Sequence, residues 1–337
     1  MALLVVNAGS TSLKLHVVED NESRPVPSFG EAEGVAGVAH RVVHGGLRFR
    51  EPVRIDAAVR EEIFELESLA PLHNAPALKA IEDAQRALPD IPHVAVFDTA
   101  FHATIPEEAA VYAVPEEWRA WGVRRFGFHG LSVQWCAERV RVPRLVVCHL
   151  GGGCSVTAVR DGRSVDTTMG FSPLEGVPMV TRSGSVDPGA LVYLLRERGL
   201  DVDALDHALN LESGLKALSG GSGDMREIEA SGGGIALDVF VHRLSAAVAA
   251  MAAAIGGLDA LAFTAGIGEG SALVRSRVCE RLRFLGLELD RERNETANPD
   301  CDVAADSSQA RVVVVRAREE LVAARAARAL IGAPRGA

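Results

Sequence analysis

"LVVCHLGGGCSVTAVRDG", residues 145–162, is an apolar run that reaches His149, breaks into three consecutive glycines, Gly151, Gly152 and Gly153, and resumes as an alternating segment. Glycine has no Cβ and reaches backbone conformations closed to other residues, so the triplet suits a sharp turn and a close approach to a ligand. Three glycines weaken a strand interior, which puts the turn between two strands. Alone, the stretch reads as an ordinary hairpin. A second copy changes that reading. "LLVVNAGSTSLKLHVVEDN", residues 3–21, has the same order of strand, polar turn and strand. A shift of 142 residues (151 − 9) sets Gly9 on Gly151, Asn7 on His149, Ser10 on Gly152, Ser12 on Cys154 and Val17 on Val159. Self-similarity at such a distance points to a duplicated domain rather than a short-period solenoid. Few positions are identical, so chance likeness of two hairpins is the alternative. Each turn offers backbone N–H groups and small hydroxyls that suit phosphate oxygens, and two facing copies could grip a polyphosphate from both sides.

Composition permits this picture. A chain of 337 residues, 48% hydrophobic, can build two cores and excludes wholesale disorder. The net charge of −10 argues against binding bulk nucleic acid or an anionic membrane, so an anionic ligand needs locally placed cations. Lysines are few, Lys14, Lys79 and Lys216, and Lys14 lies in the first turn motif. The five cysteines, at 136, 148, 154, 279 and 301, show no metal-ligand spacing and read as reduced thiols of a cytoplasmic protein. The start of the chain passes at once into "NAGSTS", unlike a signal peptide, and "AAVAAMAAAIGG" reads as part of a buried helix too short to cross a bilayer.

Along the chain, apolar runs such as "VAVFDTAF" and "RLVVCHL" read as buried strands, and residues 57–70, 74–88 and 236–255 carry the helical period. "LDALAFTAGIGEGSALVRSRVCERL" reads as strand, glycine turn and amphipathic helix, and "ARVVVVRAREELVAARAARALIG" as strand then helix. "SGGSGD" and "SGGG" read as loops. This alternation indicates α/β architecture. The third glycine turn, Gly266, Gly268 and Gly270, is a weak fingerprint alone. With the two earlier turns it gives the pattern of the superfamily shared by actin, sugar kinases and heat-shock ATPases. Between apolar stretches stand Arg41 and His44, His73, Asp98 and His102, His129, and Arg182 and Asp187. No acyl-enzyme signature accompanies them. Arginines, histidines and a carboxylate beside phosphate-type turns are the inventory of phosphoryl transfer.

"NAGSTSLK", "HRVVHGG", "APLHN", "VAVFDTAFH", "RRFGFHG", "HLGGGCS", "DTTMGFSPLEG", "TRSGSVDPG", "SGDMR" and "FTAGIGEG" occur in this order, and together they resemble the acetate kinase family over residues 4 to about 325. The resemblance implies two duplicated ribonuclease H-like, actin-like α/β domains with a cleft between them. Residues 1–100 with 321–337 would form one domain and 101–320 the other. It implies a homodimer that makes acetyl phosphate and ADP reversibly from acetate and ATP with Mg2+, or Mn2+. Propionate or another short acid is an alternative substrate, and a catalytically weakened nucleotide-binding sensor or scaffold is an alternative of another class.

Carried over by motif position, Asn7, Ser10, Ser12 and Lys14 form the first phosphate turn, and His149, Gly151, Gly152 and Gly153 the second. Arg41 and Arg182 bind the carboxylate and the phosphoryl group in flight, and His129 hydrogen-bonds that group. Asp98 and Glu319 organise magnesium with Asn7 nearby, although "REELVAAR" also reads as a solvated helix start. Asp224, Met225, Arg226, Gly266, Ile267 and Gly268 line the nucleotide, His73 supports the phosphates, and Val43, Leu72, Phe128 and Pro173 form the pocket for the methyl group. The family commonly has Asn at Gly152, His at Val133 and Thr-Asn at Ala317–Arg318, and its segment corresponding to residues 20–39 is longer. Retention of both arginines, His129 and Asp98 argues against a pure binder, which has no use for charges at a transferring phosphate.

Overall fold

The two glycine-turn hairpins are the first two strands of two separate sheets. The computed structural model describes residues 1–9, 13–69 and 71–332, without the side chains of residues 68, 69 and 71–73. Ser10, Ser12 and the side chains of Leu72 and His73 therefore lie outside the described residues. The first sheet holds β1 (Leu3–Ala8), β2 (Leu13–Glu19), β3 (Glu22–Val26), β4 (Val38–Val42), β5 (Val53–Arg54) and β6 (His93–Phe97), in the order β3-β2-β1-β4-β6-β5. The second holds β7 (Arg144–Leu150), β8 (Cys154–Arg160), β9 (Arg163–Thr167), β10 (Ala260–Thr264), β11 (Cys301–Asp302) and β12 (Arg311–Val314), in the order β9-β8-β7-β10-β12-β11. In both, three antiparallel strands lead into a parallel core, β1-β4-β6 or β7-β10-β12, and an antiparallel edge strand closes the sheet. Identical order and direction establish the duplication.

Strand register corrects the uniform shift. Asn7 pairs with Lys14 and His149 with Ser155. The first strands of the two hairpins thus match at 142 (149 − 7) and the second at 141 (155 − 14). Cys154 is the counterpart of Leu13 rather than Ser12, because the second turn has three residues and the first has four.

The central strands are mostly apolar because helices cover both faces. One face of the first sheet receives Leu321, Val322, Ala324 and Ala327 of the helix Glu319–Gly332, against Leu3, Val5, Ala39 and Val96. The second sheet is covered by the helix Gly234–Ala254, whose Leu237, Val241, Leu244, Val248 and Met251 recur every three or four residues and pack with Val146, Val156 and Phe263. At 21 residues this helix is long and apolar enough to cross a bilayer, unlike the shorter stretch read from the sequence. Its outer face carries exposed Asp238, His242 and Arg243. The glycine turn expected after β10 is instead a short helix, Ala265–Gly270, followed at once by the helix Ala272–Arg281.

Four histidines are packed into the frame as neutral groups. His40 and His93 share a 2.9 Å bond between β4 and β6. His102 bonds Ser164 Oγ at 2.8 Å and the Phe128 carbonyl at 2.9 Å, and His44 packs edge-on against Phe126 and Phe128. Burial holds all four below the ordinary histidine value, down to about 4 for His44 and His102. The unfolded chain therefore takes up protons first, and stability present above about pH 6.5 is lost as the pH falls toward 4. One unit below 6.5, each such histidine removes about 1 kcal/mol. We expect the thermal midpoint to fall between pH 7.5 and 5.5; a midpoint constant over that range would contradict this account.

Candidate active site

The carboxyl ends of the parallel strands from the two sheets converge, the position at which open α/β sheets hold ligands. Asn7 lies near the end of β1, Arg41 near the end of β4, and Asp98 just after β6; His149 lies near the end of β7 and Ala265 just after β10. A cleft of about 410 Å³ is lined by Asn7, Lys14, Arg41, His149, Glu269 and Glu319. It meets, at Gly266, a larger one of about 700 Å³ bordered by Gly151, Gly152, Asp224, Met225, Arg226 and Ile267.

Arg41 is the centre of the first cleft. Its Nε donates to both Asp98 oxygens, at 3.0 and 3.1 Å, and Nη1 donates to Asn7 Oδ1 at 2.9 Å and lies 3.8 Å from Glu319 Oε2. Burial opposes the charge on Arg41, but Asp98 and then Glu319 outweigh it and raise its pKa. Burial pushes the Asp98 carboxyl up while Arg41 pulls it down. Forked donation to both oxygens requires the ionised form. Both Asp98 oxygens are thus engaged by Arg41, and Glu319 stands further off. Gly130 allows this packing: its N–H donates to the Asp98 carbonyl at 3.0 Å, and a Cβ there would collide with that oxygen.

His129 and Arg182 meet over the triple-glycine turn. A Cβ on Gly153 would lie 3.2 Å from His129 Nε2 and 3.5 Å from Arg182 Nη1. His129 is held in the left-handed region at φ 60°, a strained conformation for a non-glycine residue, at the start of the helix Gly130–Val140. Its Nδ1 meets Ser155 Oγ at 3.0 Å, and its ring stacks on His149 at 4.0 Å between centroids. His149 Nδ1 meets Ser132 Oγ at 2.8 Å. Burial first, then the charge of Arg41, holds His149 at about 4; burial, His149, Arg41 and Arg182 hold His129 well below its ordinary value. Both rings are neutral at pH 7, each fixed at Nδ1 by a serine. Arg182, its pKa lowered by burial, donates to the Pro173 carbonyl at 3.1 Å.

The residues named from the sequence therefore gather in one place, with qualifications. Gly268 gives its carbonyl to the buried Arg275 rather than lining the larger cleft. Val43 and Phe128 lie together in the apolar core, 5% and 1% exposed. Val133 is fully buried with Cys136, Leu145 and Val147 in an apolar cluster. His44 and His102 are core groups rather than site groups. Ser132, Ser155 and Glu269 were missed. The serines directly follow "FHGL" and "GGGC", and a buried histidine needing a fixed tautomer could have found them. Glu269, within "GIGEG", accepts from Ala265 N at 3.1 Å and Ala317 N at 2.9 Å, tying the strained Ala265 (φ 64°) to the segment before Glu319.

The duplicated actin-like fold, with a cationic, histidine-lined cleft beside a glycine-bordered one, defines an ATP-dependent phosphotransferase. The acetokinase family matches residues 27–325, and the chain belongs to that family. It is 46% identical over 330 residues to an acetate kinase of Protochlamydia amoebophila, covering 94% of this chain and 83% of that one. It is 47% identical over 320 residues to an acetate kinase of Nostoc punctiforme, covering 91% and 78%. Its fold superposes on a propionate kinase from Francisella tularensis with a TM-score of 0.88, at 32% identity and 96% and 98% coverage, and on an acetate kinase from Porphyromonas gingivalis with 0.87, at the same identity and coverage.

Proposed function

We propose that this chain transfers the γ-phosphoryl group of ATP directly to acetate, reversibly. One acetate oxygen forms the new P–O bond in line as the bond to ADP breaks, and ADP leaves with the electron pair. The observation that carries this reading is the meeting of Arg182 and neutral His129 at the triple-glycine turn, between the larger cleft and the one that Arg41 and His149 line. Two fixed guanidinium forks neutralise charge spreading over the phosphoryl oxygens. His129, accepting from Ser155 at Nδ1, presents Nε2–H to the same group. Asp98 holds Arg41 in place. Asn7, Lys14 and the Gly151–Gly153 turn flank the phosphates; Ser10, Ser12 and His73 are assigned to them by motif position alone. Asp224, Met225, Arg226, Gly266 and Ile267 surround the nucleoside, while Val43, Leu72, Phe128 and Pro173 limit the acid's length.

Magnesium, or manganese, fits as a companion of the nucleotide. Glu319 and Asn7 offer hard oxygen donors, and no group of three or more His, Cys, Asp or Glu among the described residues forms a cage. Mg2+ ordinarily uses one or two carboxylates, substrate phosphates and water. When bound it would neutralise phosphate charge; Glu319 and Asn7 would hold it.

The domain boundaries proposed are 1–100 with 321–337, and 101–320, supported by the docking of Glu319–Gly332 on the first sheet. A homodimer is supported by the helices Pro188–Glu197 and Val202–Leu211, which bury none of their own residues and expose Val192, Tyr193, Val202 and Leu211. A cytoplasmic location is supported by the five free thiols. The acidic net charge supports a protein without a nucleic-acid or membrane partner.

A hydroxamate assay for acyl phosphate over acids of increasing length tests the activity. Acetate should be preferred to propionate and propionate to butyrate, since one methylene is worth about 1–3 kcal/mol in such a pocket. No acyl phosphate from any acid would leave the sensor or scaffold reading. Val43→Ala should narrow the gap between acetate and butyrate; unchanged selectivity removes Val43 from the pocket.

Gly152 tests the turn. A Cβ there meets no atom of the described residues within 4 Å. Gly152→Asn is expected to leave kcat/KM for ATP unimproved, because the glycine turn already lets backbone N–H groups approach closely. A gain of about tenfold, the scale of one hydrogen bond to a charged group, would show that the turn lacks a ligand.

A further inference from the structure

Beneath the segment that carries Pro173 lies a polar network that takes no direct part in the phosphoryl chemistry above. Tyr112 Oη donates to Glu175 Oε2 and accepts from Phe171 N at 3.0 Å. Arg125 Nη2 donates to Glu175 Oε1 at 3.1 Å, and Nη1 donates to the carbonyls of Thr167, Thr168 and Met169 at 2.6, 3.2 and 3.2 Å. The guanidinium also lies over the Tyr112 ring, 5.7 Å from its centroid. Gly170 passes between these groups: a Cβ there would overlap both Tyr112 Oη and Glu175 Oε2. The segment so held meets the core at His44 Nε2, 3.4 Å from the Phe171 carbonyl, and meets the site at Arg182, whose Nη1 donates to the Pro173 carbonyl at 3.1 Å.

We infer that Tyr112, Glu175 and Arg125 form a clamp on residues 167–173 that positions Arg182 and Pro173, and thereby the acid subsite, without touching the nucleotide. This inference rests on the acetate phosphotransferase reading. The fold needs no such arrangement. A loop between β9 and the next helix could be tied by backbone bonds alone, whereas here one buried-side arginine satisfies three successive carbonyls and one carboxylate satisfies both the arginine and the phenol. Burial first, and then the Glu175 carboxylate, raises the Tyr112 pKa, so the phenol stays protonated and donates. None of the three side chains borders the larger cleft beside Gly152 and Asp224. Their loss should therefore be felt by the acid and not by ATP.

The test is steady-state kinetics of the full chain in the acyl-phosphate direction, with thermal melting alongside. Tyr112→Phe and Glu175→Ala are expected to raise KM for acetate or lower kcat by about tenfold, the scale of a misplacement below 1 Å, with KM for ATP within about twofold of wild type. Glu175→Gln, whose amide oxygen still accepts a hydrogen bond, should recover much of the loss. Gly170→Ala, which displaces the same two groups, should reproduce the Tyr112→Phe phenotype. Parallel rises in KM for acetate and ATP, or no change in kcat and in both KM values, would overturn the clamp. Should Glu175→Ala fail to fold, Tyr112→Phe, which removes one hydroxyl, decides the question. A wild-type chain that forms no acyl phosphate would defeat the activity reading itself, and the clamp's role with it; an active wild type with unaltered variants defeats the clamp alone.

Discussion

Arg182→Ala is expected to lower kcat by roughly 10²-fold or more while the protein melts close to its normal temperature, on the scale of removing one preorganised electrostatic donor. Arg182 sits at the mouth of the triple-glycine turn with its Nη1 near both Gly153 and the Pro173 carbonyl. From that position its planar fork can neutralise charge on a transferring phosphoryl group. Lysine should rescue poorly, since a point charge does not reproduce the planar fork. Near-wild-type kcat in the alanine variant would make Arg182 a structural residue.

Arg41→Ala should lose as much activity and, unlike Arg182→Ala, lose stability as well. Its partner Asp98 is 1% exposed and accepts from Arg41 at both oxygens, with Asn7 Oδ1 taking a further bond. Removing one member of a buried pair strands the other and costs about 3–5 kcal/mol. Adding Asp98→Asn should restore much of the melting temperature without restoring kcat, because it removes the stranded charge but supplies no cation. A double variant that melts like Arg41→Ala alone would refute the paired-charge account. A double variant with recovered activity would remove Arg41 from the chemistry. The loss of Arg41 also takes away a charge that depresses His149, so the pKa of that ring should rise from about 4.

The sequence by itself determined the duplication, the strands that build it and the residues proposed to face ligand. Apolar runs such as "RLVVCHL" can only be buried strands, and a glycine triplet can only turn them, so local chemistry sufficed there. It displayed the cation and histidine inventory for the same reason: charged and imidazole groups set between apolar stretches stand out locally. Tertiary structure alone decided how those groups are used. Asp98 is Arg41's partner because β4 and β6 are adjacent and parallel, a pairing 57 residues apart that no local pattern encodes. Ser132 and Ser155 became the fixing groups of His149 and His129 only when helix and strand were packed together. The one-residue slip between the hairpins was hidden because turn length is read from register, and register from the pairing of side chains across strands. Helix formation at Ala265–Gly270 went unforeseen because glycine disfavours helices locally, and here the buried Arg275 and Glu269 outweigh that preference by bonding the segment's carbonyls and its first N–H.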